Sequence, residues 1–349
     1  MTNRPRRSAA ARAGGRLLVV AAVLAGLLVV AWLGLWFWAA ASVEGLLEDW
    51  AEAERARGAT IAWEGFETTG FPLRIRMAAD SVEIDRPGQG VWRVPELAAT
   101  AVPWRPTAVS VVAPRGVAAA LPAPAPGLPP TTVDVDRAAG RVAFALDGGL
   151  RAAAFDLSQG TVGGVPGLAS VEGVEAETVP ESGVQVVRLR IADIGLEPAL
   201  PAAEALGTTV ERVALDAVVA GPLPRYGTAA EVAEWRDAGG SVPVEALILD
   251  WGPLAVRGAG ELTLDGQLRP VGALRLEIAG HEAALAALAE AGVIGRREAG
   301  FVIGALSGAT DTGEDGVARA VATVRFAEGW VSIGPIPIAR VGKVVRQMP

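Results

Sequence analysis

The feature that most constrains this chain is an uninterrupted apolar segment near its N-terminus. No charged or strongly polar residue falls between Leu17 and Ala41. As a helix, that segment would rise about 37 Å, at about 1.5 Å per residue, which is enough to cross a hydrocarbon core of about 30 Å with some tilt. The sequence therefore predicts one transmembrane helix over residues 17–41.

Charges and aromatic rings predict the orientation of this helix. Indole rings favour the membrane–water interface, and Trp32, Trp36 and Trp38 crowd the C-terminal end of the segment. The positive-inside rule places residues 1–16 in the cytoplasm and the body of the chain on the other side. The rule applies because five arginines are the only charged residues before Glu44: Arg4, Arg6, Arg7, Arg12 and Arg16.

A cleaved signal peptide is the competing interpretation of the same segment. Ala39, Ala40 and Ala41 offer the small residues that a signal peptidase requires. However, the apolar region of a signal peptide usually runs to about 7–15 residues, and this one is far longer. The length favours an uncleaved anchor, and both interpretations export the body.

The composition of the body excludes several classes of function. Without the five N-terminal arginines, 26 basic residues stand against 39 acidic ones, a net charge of about −13. A body that acidic argues against nucleic acid, whose phosphates require clustered Lys and Arg, and against broad adhesion to anionic lipid. The chain has no cysteine, which excludes disulfides, thiolate nucleophiles and cysteine metal sites.

Alternation of apolar and polar residues predicts that the body is mainly antiparallel β. Runs with a period of two residues occur at 72–77, 187–191 and 274–278, and such runs are typical of strands with one buried and one wet face. Within 247–280 we expect a meander with strands at 254–257, 260–264 and 273–278, because Asp265-Gly266 is a strong hairpin signal. We predict an α+β fold: an elongated curved sheet with a few helices, after one N-terminal transmembrane helix.

Three helices are predicted outside the membrane. A juxtamembrane helix over 42–58 would end at Gly58, and further helices cover 228–238 and 281–294. The proline-rich stretch 121–130 cannot form an inner strand or a helix. Because strand-like patterns resume on both sides of it, we favour a loop within one body over 59–349, with a domain boundary as the alternative.

The search for catalytic chemistry finds no motif. His281 is the only histidine, and its place at the start of a predicted helix favours an exposed or capping role. There is no G-x-S-x-G elbow and no phosphate-binding loop, and a single histidine without cysteine makes zinc improbable. We therefore predict no catalytic residue, no cofactor and no metal, and a protein that is not an enzyme.

Short motifs rich in Gly, Pro and Trp stand out in the body. They contain Trp63, Gly65, Phe66, Gly70, Phe71, Pro72, Arg74, Trp104, Trp251, Gly252, Pro253, Gly334, Pro335 and Pro337. Together they resemble the motifs of the alphaproteobacterial family called domain of unknown function 2125. The resemblance implies a single-pass inner-membrane protein with a β-rich periplasmic body, distantly similar to AsmA-like envelope proteins, whose curved sheets form apolar grooves. The family has no assigned site, so the motif residues imply architecture only.

Two functions follow as expectations. One is the binding or transfer of a lipid or another apolar ligand in a groove of the sheet. The alternative is a structural or assembly role in the envelope, in which the body binds another protein through a sheet edge or the proline-rich loop. The sequence does not separate an open groove from a closed core, because the alternation of residues is the same in both.

Overall fold

A computed structural model of the chain describes residues 32–34, 36–37, 45, 48–49, 51–123, 127–145, 150–181, 184–221, 229–307, 310–312, 318–333 and 336–344. Most of the predicted transmembrane segment 17–41 lies outside these residues. In the part of the chain that is described, no helix is both long enough and apolar enough to span a bilayer.

Twenty strands form one open, curved, antiparallel sheet, which confirms the predicted fold class for the body. The strands are β1 Thr60–Glu64, β2 Glu67–Thr69, β3 Ile75–Ala79, β4 Ser81–Arg86, β5 Gly90–Val94, β6 Leu97–Val102, β7 Arg105–Ala113, β8 Val117–Leu121, β9 Thr131–Phe144, β10 Leu150–Gly163, β11 Leu168–Glu181, β12 Val184–Leu196, β13 Thr209–Val219, β14 Val242–Trp251, β15 Leu254–Leu264, β16 Pro270–Ala279, β17 Thr310–Thr312, β18 Ala318–Ala327, β19 Trp330–Ile333 and β20 Ile336–Arg340.

The sheet is a meander in which chain order is nearly the spatial order. From β9 to β16 each strand pairs with the next, and β16 then pairs with β18. The eight short strands before β9 are four long strands, each interrupted once. For example, β8 and β7 follow one another along the same edge of β9. Local hairpin connections of this kind are the simplest way to build an antiparallel sheet.

The interruptions line up across the sheet in a crease. Gly65 takes a positive φ there, and a Cβ atom would collide with the carboxylate of Asp80. Glycine is therefore required at this position. The same line continues through Gln159 in β10 and Asp193 in β12, both with a positive φ. Pairing register is the same on both sides of these two residues, so neighbouring strands bend together.

Four helices follow the N-terminal half of the sheet: α1 Pro201–Leu206, α2 Ala229–Asp237, α3 His281–Glu290 and α4 Arg296–Ser307. The predicted helices at 228–238 and 281–294 are confirmed as α2 and α3, the latter four residues shorter. The structure adds α1 and α4, which the sequence patterns did not indicate. Residues 51–56 are also helical, and Gly58, with φ 91°, follows their end as predicted.

The prediction of two strands at 254–257 and 260–264 is wrong, because β15 runs unbroken through both. Gly258 and Gly260 mark close contact between strands and not a turn. A Cβ atom on Gly258 would meet the Leu276 side chain, and one on Gly260 would meet the Ala273 carbonyl. Glycine inside a strand often records such an approach of a neighbouring backbone or side chain.

The hairpin predicted at Asp265-Gly266 is confirmed between β15 and β16. The Asp265 carboxylate accepts hydrogen bonds from the backbone N–H groups of Gln267 and Arg269. The strand patterns at 187–191 and 274–278 lie within β12 and β16, whereas the strand predicted over 72–77 begins only at Ile75. The proline-rich stretch falls between β8 and β9, which pair with each other.

Few large side chains in the described part of the chain are deeply buried. Ile75 is the only large side chain below 2% exposure among the residues described. The body is therefore mostly one layer of sheet that helices cover only in places.

Candidate ligand-binding face

The five central strands, β9 to β13, carry an apolar surface on one side of the sheet. Its side chains share a side because each is directly paired with its neighbour on the next strand. Thr178 is the only polar residue among them, and none is charged. The apolar face consists of Ala138, Leu157, Val174, Ile191 and Val213, then Gly140, Phe155, Ala176, Leu189 and Leu215, then Val142, Ala153, Thr178, Val187 and Ala217.

Much of this apolar face is open. Phe155 is 49% exposed, and Leu157, Val174, Leu189 and Ile191 are only half-buried. Side chains of this size are among the residues most often fully buried in a closed core. From strand and residue spacings, the face measures about 19 Å across the strands and about 14 Å along them. The central strands therefore present an uncovered apolar surface of ligand size.

Towards the C-terminus the same side of the sheet is covered by helices. The paired rows continue through β14, β15 and β16 to Ala320 and Ala322 in β18, which are 0% and 6% exposed. Helix α3 contacts β15 and helix α4 contacts β18, with Ala284 and Ala299 buried. Small side chains on both partners allow the helices to approach the sheet closely.

Towards the N-terminus this side is covered as well. The rows continue through β7 and β6 to Ile75 in β3, which is 1% exposed. Trp36, in a helical stretch before the body, packs against Ile75 and is itself 6% exposed. The open apolar face is thus bounded at both ends by covered sheet.

The opposite side of the central strands carries charged side chains, and we call it the charged face. Ion pairs cross it from β11 to β15, each between neighbouring strands. They join Glu177 to Arg188 at 3.2 Å, Arg190 to Asp216 at 2.6 Å, and Asp250 to both Arg212 and Arg257 at 2.6 Å. A face this polar stays wet, so the sheet has only one side on which to receive an apolar ligand.

Asp250 takes part in two of these ion pairs, with Arg212 and with Arg257. Burial raises the pKa of the Asp250 carboxyl, but hydrogen bonds and charge from Arg257 and Arg212 outweigh burial and lower the pKa overall. The carboxylate is therefore ionised in the folded state at any pH near neutrality. The arrangement is a structural network, because each charge in it has an opposite charge as a partner.

A depression of about 530 Å³ also lies on the charged face, above β7 and β9 to β12. Its polar lining includes Ser110, Arg141, Asp156, Glu175 and Arg188. Acidic and basic groups alternate there, so the depression offers no net charge to an ionic ligand. In the described part of the chain, no three carboxylate or imidazole groups are arranged to bind a metal ion.

A comparison with known protein families supports the family that the sequence motifs indicate. The model of a family described as uncharacterized proteins conserved in bacteria, DUF2125, matches residues 36–341. The chain belongs to the DUF2125 family. No curated protein and no solved structure matches it, so similarity to AsmA-like proteins stays a prediction.

The early DUF2125 motif residues gather around the first strands. Trp63 lies in β1, where the Arg55 guanidinium sits 5.4 Å from its ring centre, and Phe66 is exposed at the crease. Gly70 takes φ 98° in the turn that leads to Phe71, Pro72 and Arg74, and a Cβ atom there would collide with the Arg74 carbonyl. Trp104, in the turn between β6 and β7, stacks on Trp32 with ring centres 6.2 Å apart.

The later motif residues lie in other elements of the fold than the early ones. Trp251 ends β14 and donates from Nε1 to the Gly207 carbonyl, while the Gly252 N–H donates to the Glu211 carboxylate. A Cβ atom on Gly252 would collide with the Leu206 carbonyl, so glycine is required where α1 meets the sheet; Pro253 follows in the same turn. Gly334 and Pro335 lie outside the described residues, and the backbone of Pro337 pairs with Ser332 in β19.

The expectation that His281 is exposed or capping is wrong. His281 is the first residue of α3 but is 5% exposed. Gly280 precedes α3 with φ 69° and has no room for a Cβ atom beside the Pro253 carbonyl, and His281 and Ala284 form the buried side of the helix. Nδ1 lies 3.3 Å from the Ile278 carbonyl and Nε2 has no hydrogen-bond partner.

The apolar face itself contains none of the motif residues. The alternation in the sequence identified one of its strands, β12, but not the face as a site. The signal was present in the pattern of β10 to β13, where large apolar residues recur at every second position of adjacent strands. Only the pairing register shows that they fall side by side.

Proposed function

We propose that this DUF2125 protein is a membrane-tethered binding protein that holds lipid acyl chains, or another elongated apolar ligand, on its apolar face. The observation that supports this most is an apolar face on five adjacent strands, with Phe155 49% exposed and Leu157 and Leu189 only half-buried, between covered sheet at both ends. The role is one of binding and not of catalysis.

The energetics favour an occupant for this face. Apolar surface left in water costs roughly 25 cal/mol per Å², and a contiguous apolar patch on a soluble body usually marks a binding surface. An acyl chain has no hydrogen-bonding groups, so it matches a face whose only polar side chain is Thr178.

The proposal includes a place in the cell. An anchor over 17–41, with residues 1–16 in the cytoplasm, would tether the body on the periplasmic side of the inner membrane. The apolar segment and the arginines before it support this orientation. The membrane would then be the source or the destination of the ligand.

Photocrosslinking in intact cells tests the proposal at the level of single residues. The photoreactive residue p-benzoyl-phenylalanine is placed at position 155 in one full-length variant and at position 156 in another. Phe155 and Asp156 are consecutive and lie on opposite faces, so each position is a matched control for the other.

We expect position 155, and not 156, to form an adduct with the mass of a phospholipid. A dominant protein adduct at 155 would instead favour the role in envelope assembly and would overturn lipid binding. Equal phospholipid labelling at the two positions would also contradict the proposal, because it would show no preference for the apolar face.

A further inference from the structure

Exposed apolar side chains cluster at one corner of the sheet, far from the apolar face in sequence. Phe37 is 61% exposed, Phe71 48%, Leu73 59% and Trp104 57%. Phe71 and Leu73 belong to the turn between β2 and β3, and Trp104 to the turn between β6 and β7. The rings of Phe37 and Phe71 stack with centres 6.3 Å apart. We call these four residues the aromatic tip.

The aromatic tip is bonded to the helical stretch that precedes the body. Trp32 Nε1 donates to the Pro72 carbonyl at 2.9 Å, and Trp36 Nε1 donates to the Arg74 carbonyl at 2.8 Å. The Trp36 ring also meets Phe71 edge-on with centres 5.4 Å apart. These bonds hold the turn 70–74 beside residues 32–37, so both lie at the same level.

Basic residues adjoin the aromatic tip in the chain, although the body as a whole is acidic. Arg74 follows Leu73, and Arg76 is the second residue of β3. Arg105 follows Trp104, and all three arginines are exposed. Long basic side chains keep their charge in the head-group region while their methylene stems lie along apolar surface. An aromatic cluster with arginines at its edge matches a phospholipid interface, where ring faces meet acyl chains and guanidinium groups meet phosphates.

We propose that the aromatic tip inserts into the outer interface of the lipid bilayer and fixes the orientation of the sheet on the membrane. Residues 32–37 lie in the C-terminal half of the predicted membrane span, and the aromatic tip is in contact with them. The inference rests on the anchor of the proposed function but not on any ligand of the apolar face. Phe71, Leu73 and Trp104 would enter the interface, and Arg74, Arg76 and Arg105 would contact phosphates.

Site-directed fluorescence tests the insertion, since the chain has no cysteine of its own. Leu73→Cys, Val293→Cys and Val29→Cys variants of the full-length chain are labelled with a polarity-sensitive dye. They are then reconstituted into phosphatidylethanolamine–phosphatidylglycerol vesicles that contain lipids with a nitroxide quencher. Val293, between α3 and α4, is a matched control because it is also a large exposed apolar side chain, at 43%.

We expect the dye at position 73 to lose about half of its fluorescence to quenchers near the head groups, and the dye at 293 to keep its fluorescence. Quenching at 29 by a nitroxide deep in the acyl chains, without quenching at 73 by the head-group nitroxide, would overturn the insertion while leaving the anchor intact. Absence of quenching at 29 by the deep nitroxide would contradict the anchor itself.

Discussion

The central strands and the C-terminal strands of the sheet have the same alternation but differ in what lies over one side of it. Helix α4 contacts β18, where Ala320 and Ala322 are 0% and 6% exposed, and Leu274 in the same rows is 7% exposed. In the central strands Phe155 is 49% exposed and Leu189 is half-buried, while the helices of the described residues make their main sheet contacts at β15 and β18. The covering helix therefore distinguishes the two regions, since both carry large and small apolar residues on this side.

From this difference we infer that the apolar face is a surface available to an occupant and not a packed core. Large side chains without a covering helix expose apolar surface that a soluble body would ordinarily bury or replace with polar residues. The N-terminal end shows the covered pattern again, with Ile75 under Trp36. An open centre between two covered ends is the arrangement expected for a surface that binds an apolar ligand.

The largest expected effect compares one truncation in each region. Ile75→Ala should lower the free energy of unfolding by about 2–5 kcal/mol, because it leaves a cavity under Trp36. Leu189→Ala should cost much less, because Leu189 is half-buried in the structure. Urea denaturation of both full-length variants measures the difference. Equal losses of unfolding free energy in the two variants would mean that the central strands are packed as tightly as the covered N-terminal end, and would contradict the comparison.

Enlarging a small residue provides the converse test. Ala320→Leu should cost about 1–3 kcal/mol, because Ala320 is fully buried beneath a helix and the extra atoms have no space. Ala176→Leu on the open face should leave the unfolding midpoint nearly unchanged. Thermal denaturation followed by circular dichroism checks both variants. A large loss at Ala176 would show that something covers the centre.

A smaller effect concerns the charged face behind the open centre. The pKa of Asp250 is lower when the chain is folded, so its contribution to stability is present above the unfolded pKa and is lost as pH falls through the folded value. Asp250→Asn should lower the free energy of unfolding by about 1 kcal/mol at pH 7. The variant should also lose less stability than the wild type as the pH falls below about 4. Denaturation midpoints across pH check this, and parallel curves would contradict the assignment.

The smallest expected effect is at the covered end. His281→Leu should raise the free energy of unfolding by up to about 1 kcal/mol, because it removes a buried nitrogen that has no hydrogen-bond partner. His281→Gln is the comparison, since it keeps a polar group at the same place and should give no gain. A loss of stability in the leucine variant would show that the imidazole is needed for packing or for its bond to Ile278.

The sequence predicted local structure better than it predicted the site. Alternation indicated the strands, Asp265-Gly266 indicated its hairpin, and helices α2 and α3 were visible in the spacing of Val232, Trp235, Leu285 and Leu288. Helix α1 was missed because it has six residues and begins at Pro201. Helix α4 was missed because Gly300 and Gly304 weaken its helical signal.

The openness of the centre could not be predicted from alternation. A strand with one covered apolar face and a strand with one open apolar face share the same period of two residues. What distinguishes them is whether a helix lies over Ala320 or Leu189, and that is decided by tertiary packing. The burial of His281 was hidden for a similar reason, because it depends on how α3 packs in the fold.

The most direct test of an open centre between covered ends is the reactivity of single cysteines introduced into the cysteine-free chain. Leu189→Cys, Arg190→Cys and Ala322→Cys variants of the full-length protein are first freed of bound lipid and then reacted with N-ethylmaleimide, which is small and membrane-permeant. The account predicts that positions 189 and 190, on opposite faces of β12, react at similar rates, whereas position 322 under α4 reacts about a hundredfold more slowly, since it is reached only through local opening. Protection of position 189 to the same degree as 322 would show that the apolar face is a closed core and would contradict the account.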